Sequence, residues 1–495
     1  MKKAAAFFFC VVAFPIFAQH KSIHQEQSET YATAGHSAED YYSINSPSPK
    51  TRVLRNNCTP NKIIYGWHPY WSNGLQSNYD WDLLTHFSYF SYEVNYVNGN
   101  ANNTYNFATT QSVTDALNNG LKVTLCVTLF SDHATFLNNN TSKQTLITNL
   151  INLISARGAH GVNIDFEGLP ASQSLNFRNF MNDLANQMHS AIPGSEVSTV
   201  LYAVDWNNVL DVANMTAVDH FIIMGYDYYW TGSTTAGPND PLFQFGTSYN
   251  YTLSKSITYY LNKGIPPAKL ILGLPYYGRE WPVSSHTLPA TTTGSGLSRT
   301  YRSVRDNVPG IFSAANRRYE PASKSTYYNF NSGGLRQCFI TEADDMRDRM
   351  DLINKRGIGG MGIWALGYDD GYNDFWDAIS DNFTDCSTIP CSDTLTDIGG
   401  GRFKNYYDNE NYTYTIAPPN AGSVTLTFSS FSLENNYDFL YVYNGPGTTS
   451  PQFPGSPFTG TTLPPALTGT TGAITLRFTS DNSTTSAGFV ATYQC

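Results

Sequence analysis

Between residues 63 and 365 the chain repeats one unit eight times: a short apolar run, then a polar connector. The runs are Ile63–Trp67, His86–Phe90, Val123–Leu129, Gly161–Phe166, Val197–Ala203, His220–Tyr226, Leu270–Leu274 and Gly360–Ala365. Short apolar runs without alternation suit strands buried on both faces, as in parallel sheets. Most connectors are helix-like, including Gln144–Arg157, Phe177–Ile192 and Thr341–Arg356. Eight strand–helix alternations predict an α/β fold, a (β/α)8 barrel with its active groups at the C-terminal rim of the strands. The interval Trp281–Asn331 breaks the rhythm and predicts a small insertion before strand eight, walling the cleft.

After Cys391 the period changes. Val424–Phe428 and Ile474–Phe478 alternate between apolar and polar or small residues, with Gly, Pro and Asn turns between such segments, which predicts an all-β sandwich. At the other end, Met1-Lys2-Lys3 and the apolar run Ala4–Phe17 read as a signal peptide, too short to span a bilayer comfortably. The expected division is therefore 1–18 signal peptide, 19–57 flexible leader, 58–386 barrel and 391–495 sandwich, with a short hinge at 387–390. The leader assignment rests on a polar Ser-, His-, Gln- and Pro-containing stretch without apolar periodicity. No other run is long enough to cross a membrane, so a soluble, exported protein is expected, extracellular or periplasmic.

A net charge of −10 excludes the basic face that nucleic-acid binding needs. With 34 Tyr, 29 Phe and 8 Trp, the chain is rich in flat rings that stack on sugar faces, though many secreted proteins share that trait. Of seven cysteines, Cys10 leaves with the signal, and an oxidising compartment permits disulfides. Cys58 and Cys386 flank the barrel and Cys391 and Cys495 flank the sandwich. These pairings are expectations from position alone. Cys126 lies in an apolar strand and is expected as a buried thiol.

The chemistry is concentrated in Gly161-Val162-Asn163-Ile164-Asp165-Phe166-Glu167. Alternation puts Asn163, Asp165 and Glu167 on one face and Val162, Ile164 and Phe166 on the other. In a barrel the first set points inward and toward the rim. Two carboxylates two residues apart on one face repel, so one pKa must rise, leaving a protonated acid near neutral pH. Glu167, at the strand tip, is the candidate donor. A salt-bridge cluster at the barrel mouth would use the same residues.

This segment resembles the DxxDxDxE signature of glycoside hydrolase family 18, the chitinase family. Met224-Gly225-Tyr226-Asp227 resembles its MxYD segment, and Leu272–Arg279 its LGxPxYGR segment. Gly360–Trp364 resembles the strand-eight segment that ends in a cleft-floor tryptophan, and Gly66–Trp71 the opening strand. The likeness covers roughly residues 60–384. It implies hydrolysis of β-linked N-acetylglucosamine polymers by a substrate-assisted retaining mechanism, with no catalytic cofactor or metal. Glu167 would protonate the glycosidic oxygen, Asp165 would hold the acetamido N–H, Tyr226 its carbonyl, and Asp227 would contact the distorted sugar. Trp364 would lie under the ring, with Asn163, Met224, Trp67, Tyr277 and Arg279 as further substrate-binding residues.

The chain departs from that family at three places. Asn163 stands where the signature has its middle aspartate, and His160 where it has its first. Cys126-Val-Thr-Leu129 stands in place of SxGG. Without a charged neighbour at Asn163, Asp165 should be raised less. Asn at that position also resembles the spore-cortex peptidoglycan hydrolases. Substrate therefore stays open between chitin, chito-oligosaccharides and peptidoglycan strands, with a non-catalytic carbohydrate-binding protein as the rival class.

Phe431–Glu434, Tyr437–Gly445, Phe478–Asp481 and Gly488-Phe489 resemble a CUB domain lacking the two inner cysteines usual there. That resemblance implies a partner-binding or spacing module, its protein partner unknown. It also implies calcium at Glu434, Asp438 and Asp481, hard oxygen ligands at matching positions, where ordinary solvated turn carboxylates are the alternative.

Overall fold

The eight apolar runs become eight parallel strands closed on themselves. They are β1 (Ile63–Pro69), β2 (His86–Val94), β3 (Lys122–Leu129), β4 (Gly161–Phe166), β5 (Glu196–Leu201), β6 (His220–Met224), β7 (Leu270–Pro275) and β8 (Gly360–Trp364). β1 pairs with both β2 and β8, which completes the ring. This is a computed structural model, and it describes residues 21–49, 59–246, 251–385, 391–397, 399, 405–418 and 421–495.

Three strands end earlier than their apolar runs, β5 at Leu201, β6 at Met224 and β8 at Trp364. After Met224 the Gly225 N–H bonds the carbonyls of Ile223 and Gly273, and the chain turns out of the sheet. A Cβ at Gly225 would meet the Gly273 carbonyl oxygen at 2.4 Å, so only glycine allows this turn. Tyr226 and Asp227 are thereby set on the rim rather than in the wall.

The helices Asn140–Arg157, Ser174–Ala191 and Ala343–Arg356 lie where the periodicity put them, with ends shifted by a few residues. Their ends follow from caps. Asn139 accepts from the Ser142 N–H, Gly158 closes that helix in the left-handed region, and Glu342 and Asp345 form a reciprocal capping box.

The insertion begins earlier than the sequence implied. Strand Tyr277–Pro282 follows β7 directly and pairs with Leu297–Thr300 and Leu335–Phe339, continuing through Ser325–Asn331 to Arg317–Glu320. Arg279 and Glu280 disguised this strand. Both are buried, yet both are paired, Arg279 with Asp227 and Glu280 with Arg299 and Arg336.

The C-terminal unit is a sandwich. One sheet orders Ser392–Thr396, Gly488–Gln494, Val424–Ser432 and Leu467–Gly469; the other orders Asn411–Ile416, Ile474–Thr479 and Phe439–Tyr443. A Cys391–Cys495 disulfide ties its ends. The expected Cys58–Cys386 pair lies outside the described residues, as do the signal run and the hinge. Cys126 and Cys338 are buried free thiols. Among the described residues no helix is long and apolar enough to cross a membrane.

The leader departs most from expectation. Residues 21–49 are folded, not flexible: helix α1 (Ile23–Ala34) lies in the barrel mouth, followed by a short helix, Tyr41–Ile44. Ser22 caps α1 by accepting from the Gln25 N–H, and Gly35 closes it at φ 72°.

Candidate active site

Strand β4 supplies the centre, and its alternation holds. Phe166 points outward against Phe136, Phe177 and Phe180 in the helix layer. Asn163, Asp165 and Glu167 face the barrel interior and mouth. Asn163 is fully used by neutral partners. Its Oδ1 accepts from Trp67 Nε1 at 2.9 Å, and its Nδ2 donates to Ser198 Oγ at 2.9 Å. Trp67 therefore supports Asn163 from within the core and is itself fully buried.

Burial pushes Asp165 up to about 7, partly opposed by a hydrogen bond with Glu167. Asn163 adds no charge to this rise, whose main cause is desolvation. Glu167 is raised well above the ordinary carboxyl range, first by burial and then by the Asp165 charge. Both carboxyls are therefore harder to ionise than free ones, by burial and, at Glu167, by the charge of its neighbour.

Asp227 stands at φ 57°, a left-handed conformation uncommon for aspartate. Three donors fix its Oδ1: Tyr277 Oη at 2.8 Å, Arg279 Nε at 3.0 Å and Arg279 Nη2 at 2.8 Å. Tyr277 and Arg279 thus position Asp227. Burial and the carboxylates around it raise the Tyr226 hydroxyl well above 10, so it remains a donor. Trp364 ends β8 at the floor, and Met224 lines a small pocket with Glu167, Tyr202, Trp206 and Tyr226.

Helix α1 occupies this site, which no apolar periodicity foretells. Ser22 Oγ donates to Glu167 Oε1 at 2.8 Å, and the Ile23 N–H to Asp227 Oδ2 at 3.0 Å. The His24 ring lies 2.8 Å from both Asp165 Oδ2 and the Tyr226 hydroxyl. Burial holds His24 at about 4 despite the raising influence of Glu167 and Asp227, so the imidazole is neutral: Nδ1–H donates to Asp165 and Nε2 accepts from Tyr226. Gln27 Oε1 accepts from Trp364 Nε1 at 3.0 Å and Tyr368 Oη at 2.8 Å, and Glu26 pairs with Arg279 at 2.7 Å. The one available signal was Ser22-Ile-His-Gln25, a capping-box pattern. Tyr202, whose hydroxyl bonds the Phe166 carbonyl and accepts from the Leu169 N–H, and Tyr368 were also missed.

In the sandwich, Glu434, Asp438 and Asp481 bring one carboxylate oxygen each within 4.8 Å of one another. Glu434 Oε2 is buried without a hydrogen-bond partner, an acceptor set that fits a hard divalent cation.

A closed parallel barrel with a carboxyl pair at the tip of its fourth strand has the architecture of the barrel glycosidases. The chain belongs to glycosyl hydrolases family 18, whose profile matches residues 63–369; a CUB domain profile matches residues 386–493. Chitotriosidase-1 of Mus musculus is 24% identical over 251 residues, 46% of this chain and 53% of that protein. The cortical fragment-lytic enzyme of Bacillus anthracis is 24% identical over 264 residues, 50% of this chain and 55% of that protein. The chain thus spans about half the length of these relatives. The crystal structure of Ostrinia furnacalis Group IV chitinase in complex with allosamidin shares the fold, with a TM-score of 0.57 at 20% identity, covering 65% of this chain and 97% of that one.

Proposed function

We propose that the chain is a secreted glycoside hydrolase that cleaves β-1,4-linked N-acetylglucosamine polymers, chitin or chito-oligosaccharides, by a substrate-assisted retaining mechanism. In this reading Glu167 gives its proton to the glycosidic oxygen while the substrate's acetamido oxygen attacks the anomeric carbon. Asp165 accepts from the acetamido N–H and balances the charge of the oxazolinium ion, and Tyr226 donates to the acetamido oxygen. Asp227 holds the distorted sugar, whose ring lies on Trp364. Water then attacks the anomeric carbon, its proton passing to Glu167, and the acid is regenerated.

The observation that carries this reading is the convergence of four groups on one ring-sized space. Asp165, Tyr226 and Trp364 all contact the His24 ring, and Glu167 lies 3.4 Å from it. An acid raised well above the ordinary carboxyl range, beside an acetamide-compatible acceptor and donor, supports acid catalysis aided by the substrate's own amide. Peptidoglycan-directed N-acetylglucosaminidase action is the second reading, favoured by Asn163 in place of a carboxylate. Glu434, Asp438 and Asp481 would hold a calcium ion that orders the sandwich loops, away from the chemistry.

The test is mass spectrometry of products after separate incubation with chitin, chito-oligosaccharides and peptidoglycan. It compares the chain freed of its N-terminal segment with the same chain carrying Glu167→Gln. Sugars released by the first and lost by a factor of about 10² to 10⁴ in the second support the enzyme. Saccharide binding without product from either would sink it in favour of a binding protein.

A further inference from the structure

Asp165, Tyr226, Glu167 and Trp364 are 0%, 3%, 5% and 0% exposed, although they line the mouth of a barrel. What covers them is the chain's own residues 22–31. The His24 ring sits 3.7 Å from the Trp364 ring, centroid to centroid, at 31°. Seven residues on, Tyr31 stacks on Trp71 at 4.5 Å and 8°. Two helical turns, about 10 Å, thus lay two rings on two tryptophan platforms. The face α1 buries is polar: Ser22, His24, Gln27 and Ser28 are at most 9% exposed, with Ile23 fully buried beside them. Most of this face is matched by groups of the cleft, and Glu26 adds an ion pair to Arg279 and a bond from Thr231. The segment then leaves the cleft through Ala32–Ser37, all exposed.

We propose that residues 22–31 are an autoinhibitory plug that imitates substrate. His24 stands in for the acetamido group, donating to Asp165 and accepting from Tyr226, and the Ser22 hydroxyl stands at the acid. The mimicry rests on the proposed function; the occlusion rests on geometry alone. Activation follows from hydrolysis of a peptide bond within Ala32–Ser37 by an external endopeptidase, with water as the co-reactant. While tethered, the plug competes at the effective concentration of a short linker, of millimolar order; once cut, it dissociates on dilution.

The experiment inserts a specific protease site between His36 and Ser37 of the full chain, which folds before it is cut. A second full-length variant, His24→Ala with Glu26→Lys, loosens the plug without cleavage. Initial rates on a fluorogenic chito-oligosaccharide are compared, and a synthetic peptide of residues 21–35 is titrated into the cut, desalted chain by calorimetry. The proposal expects kcat/KM to rise about tenfold or more on cutting and in the double variant. It also expects the peptide to bind the cut chain and to inhibit competitively. Equal rates before and after cutting would overturn the plug and leave the hydrolase reading standing. Peptide binding without turnover in any arm would keep the plug and sink the hydrolase reading. Neither binding nor turnover would sink both.

Discussion

The imidazole of His24 lies 3.7 Å from the indole of Trp364, ring over ring, and bonds Asp165 and Tyr226 through its two nitrogens. A neutral imidazole offers one donor and one acceptor on opposite sides of a flat ring, as an acetamido group does across its amide plane. The contact defines the site twice over. It marks which groups converge, and it places a donor and an acceptor of one flat ring between Asp165 and Tyr226.

The alkaline limb of the pH profile should follow Glu167. Its pKa is raised well above 4.5 by burial and by Asp165, so the catalytic proton is lost only as pH rises through that raised folded value. In the plug-free chain, kcat/KM should therefore fall on the alkaline side as Glu167 loses its proton and on the acid side as Asp165 gains one. Asp165→Asn removes the charge that raises Glu167 and should move the alkaline limb to lower pH, besides lowering the maximum. Rates across pH 4 to 10, an assay window of our choosing at about half-unit steps, check both. An unmoved limb would assign it to another group.

Asn163 is a structural keystone in this chain. Asn163→Ala leaves the buried Trp67 N–H without its acceptor and opens a void beside Cys126. An orphaned buried donor costs about 1–3 kcal/mol, so the denaturant midpoint should shift accordingly with an unchanged m-value.

Glu410 ties the sandwich to the barrel. It is 2% exposed, accepts from Thr258 Oγ1 at 3.1 Å, and burial pushes it up to about 8 although Arg356 pulls it down. A carboxyl raised in the folded state contributes stability that is full below its unfolded value of 4.5 and is lost as pH rises through about 8. Glu410→Gln keeps the Thr258 bond without the charge. Its melting temperature should exceed that of the parent at pH 8.5 and match it near pH 4.5. These are chosen assay points about half a unit outside or at the limits of that window.

Calcium should stabilise the sandwich. If Glu434, Asp438 and Asp481 hold the ion, adding it raises the upper thermal transition in proportion to the logarithm of its concentration, and chelation reverses the shift. Asp481→Asn should remove the response, whereas magnesium, which demands a smaller octahedral cage, should produce less of it. No shift with calcium would leave these as ordinary loop carboxylates.

Much of the fold was legible because its signals are local. Buried parallel strands need unbroken apolar runs, and all eight stand out. Glu167 and Asp165 could be placed by strand alternation alone, since a period of two fixes which side chains share a face. Trp67, Tyr277 and Arg279 were read as substrate-binding, yet they hold Asn163 and Asp227 in place. A motif gives a residue's position but not its hydrogen-bond partner.

The barrel, the sandwich and the acidic strand tip were readable residue by residue, because each is written in the periodicity of a few neighbours. Long-range pairing alone reveals that Arg279 and Glu280 belong to a buried strand and that residues 22–31 close the cleft. Helix α1 was invisible because apolar periodicity detects faces that dock onto oil-like surfaces. This helix docks into a polar active site, so its buried face is serine, histidine and glutamine, matched by partners some 140 to 340 residues away.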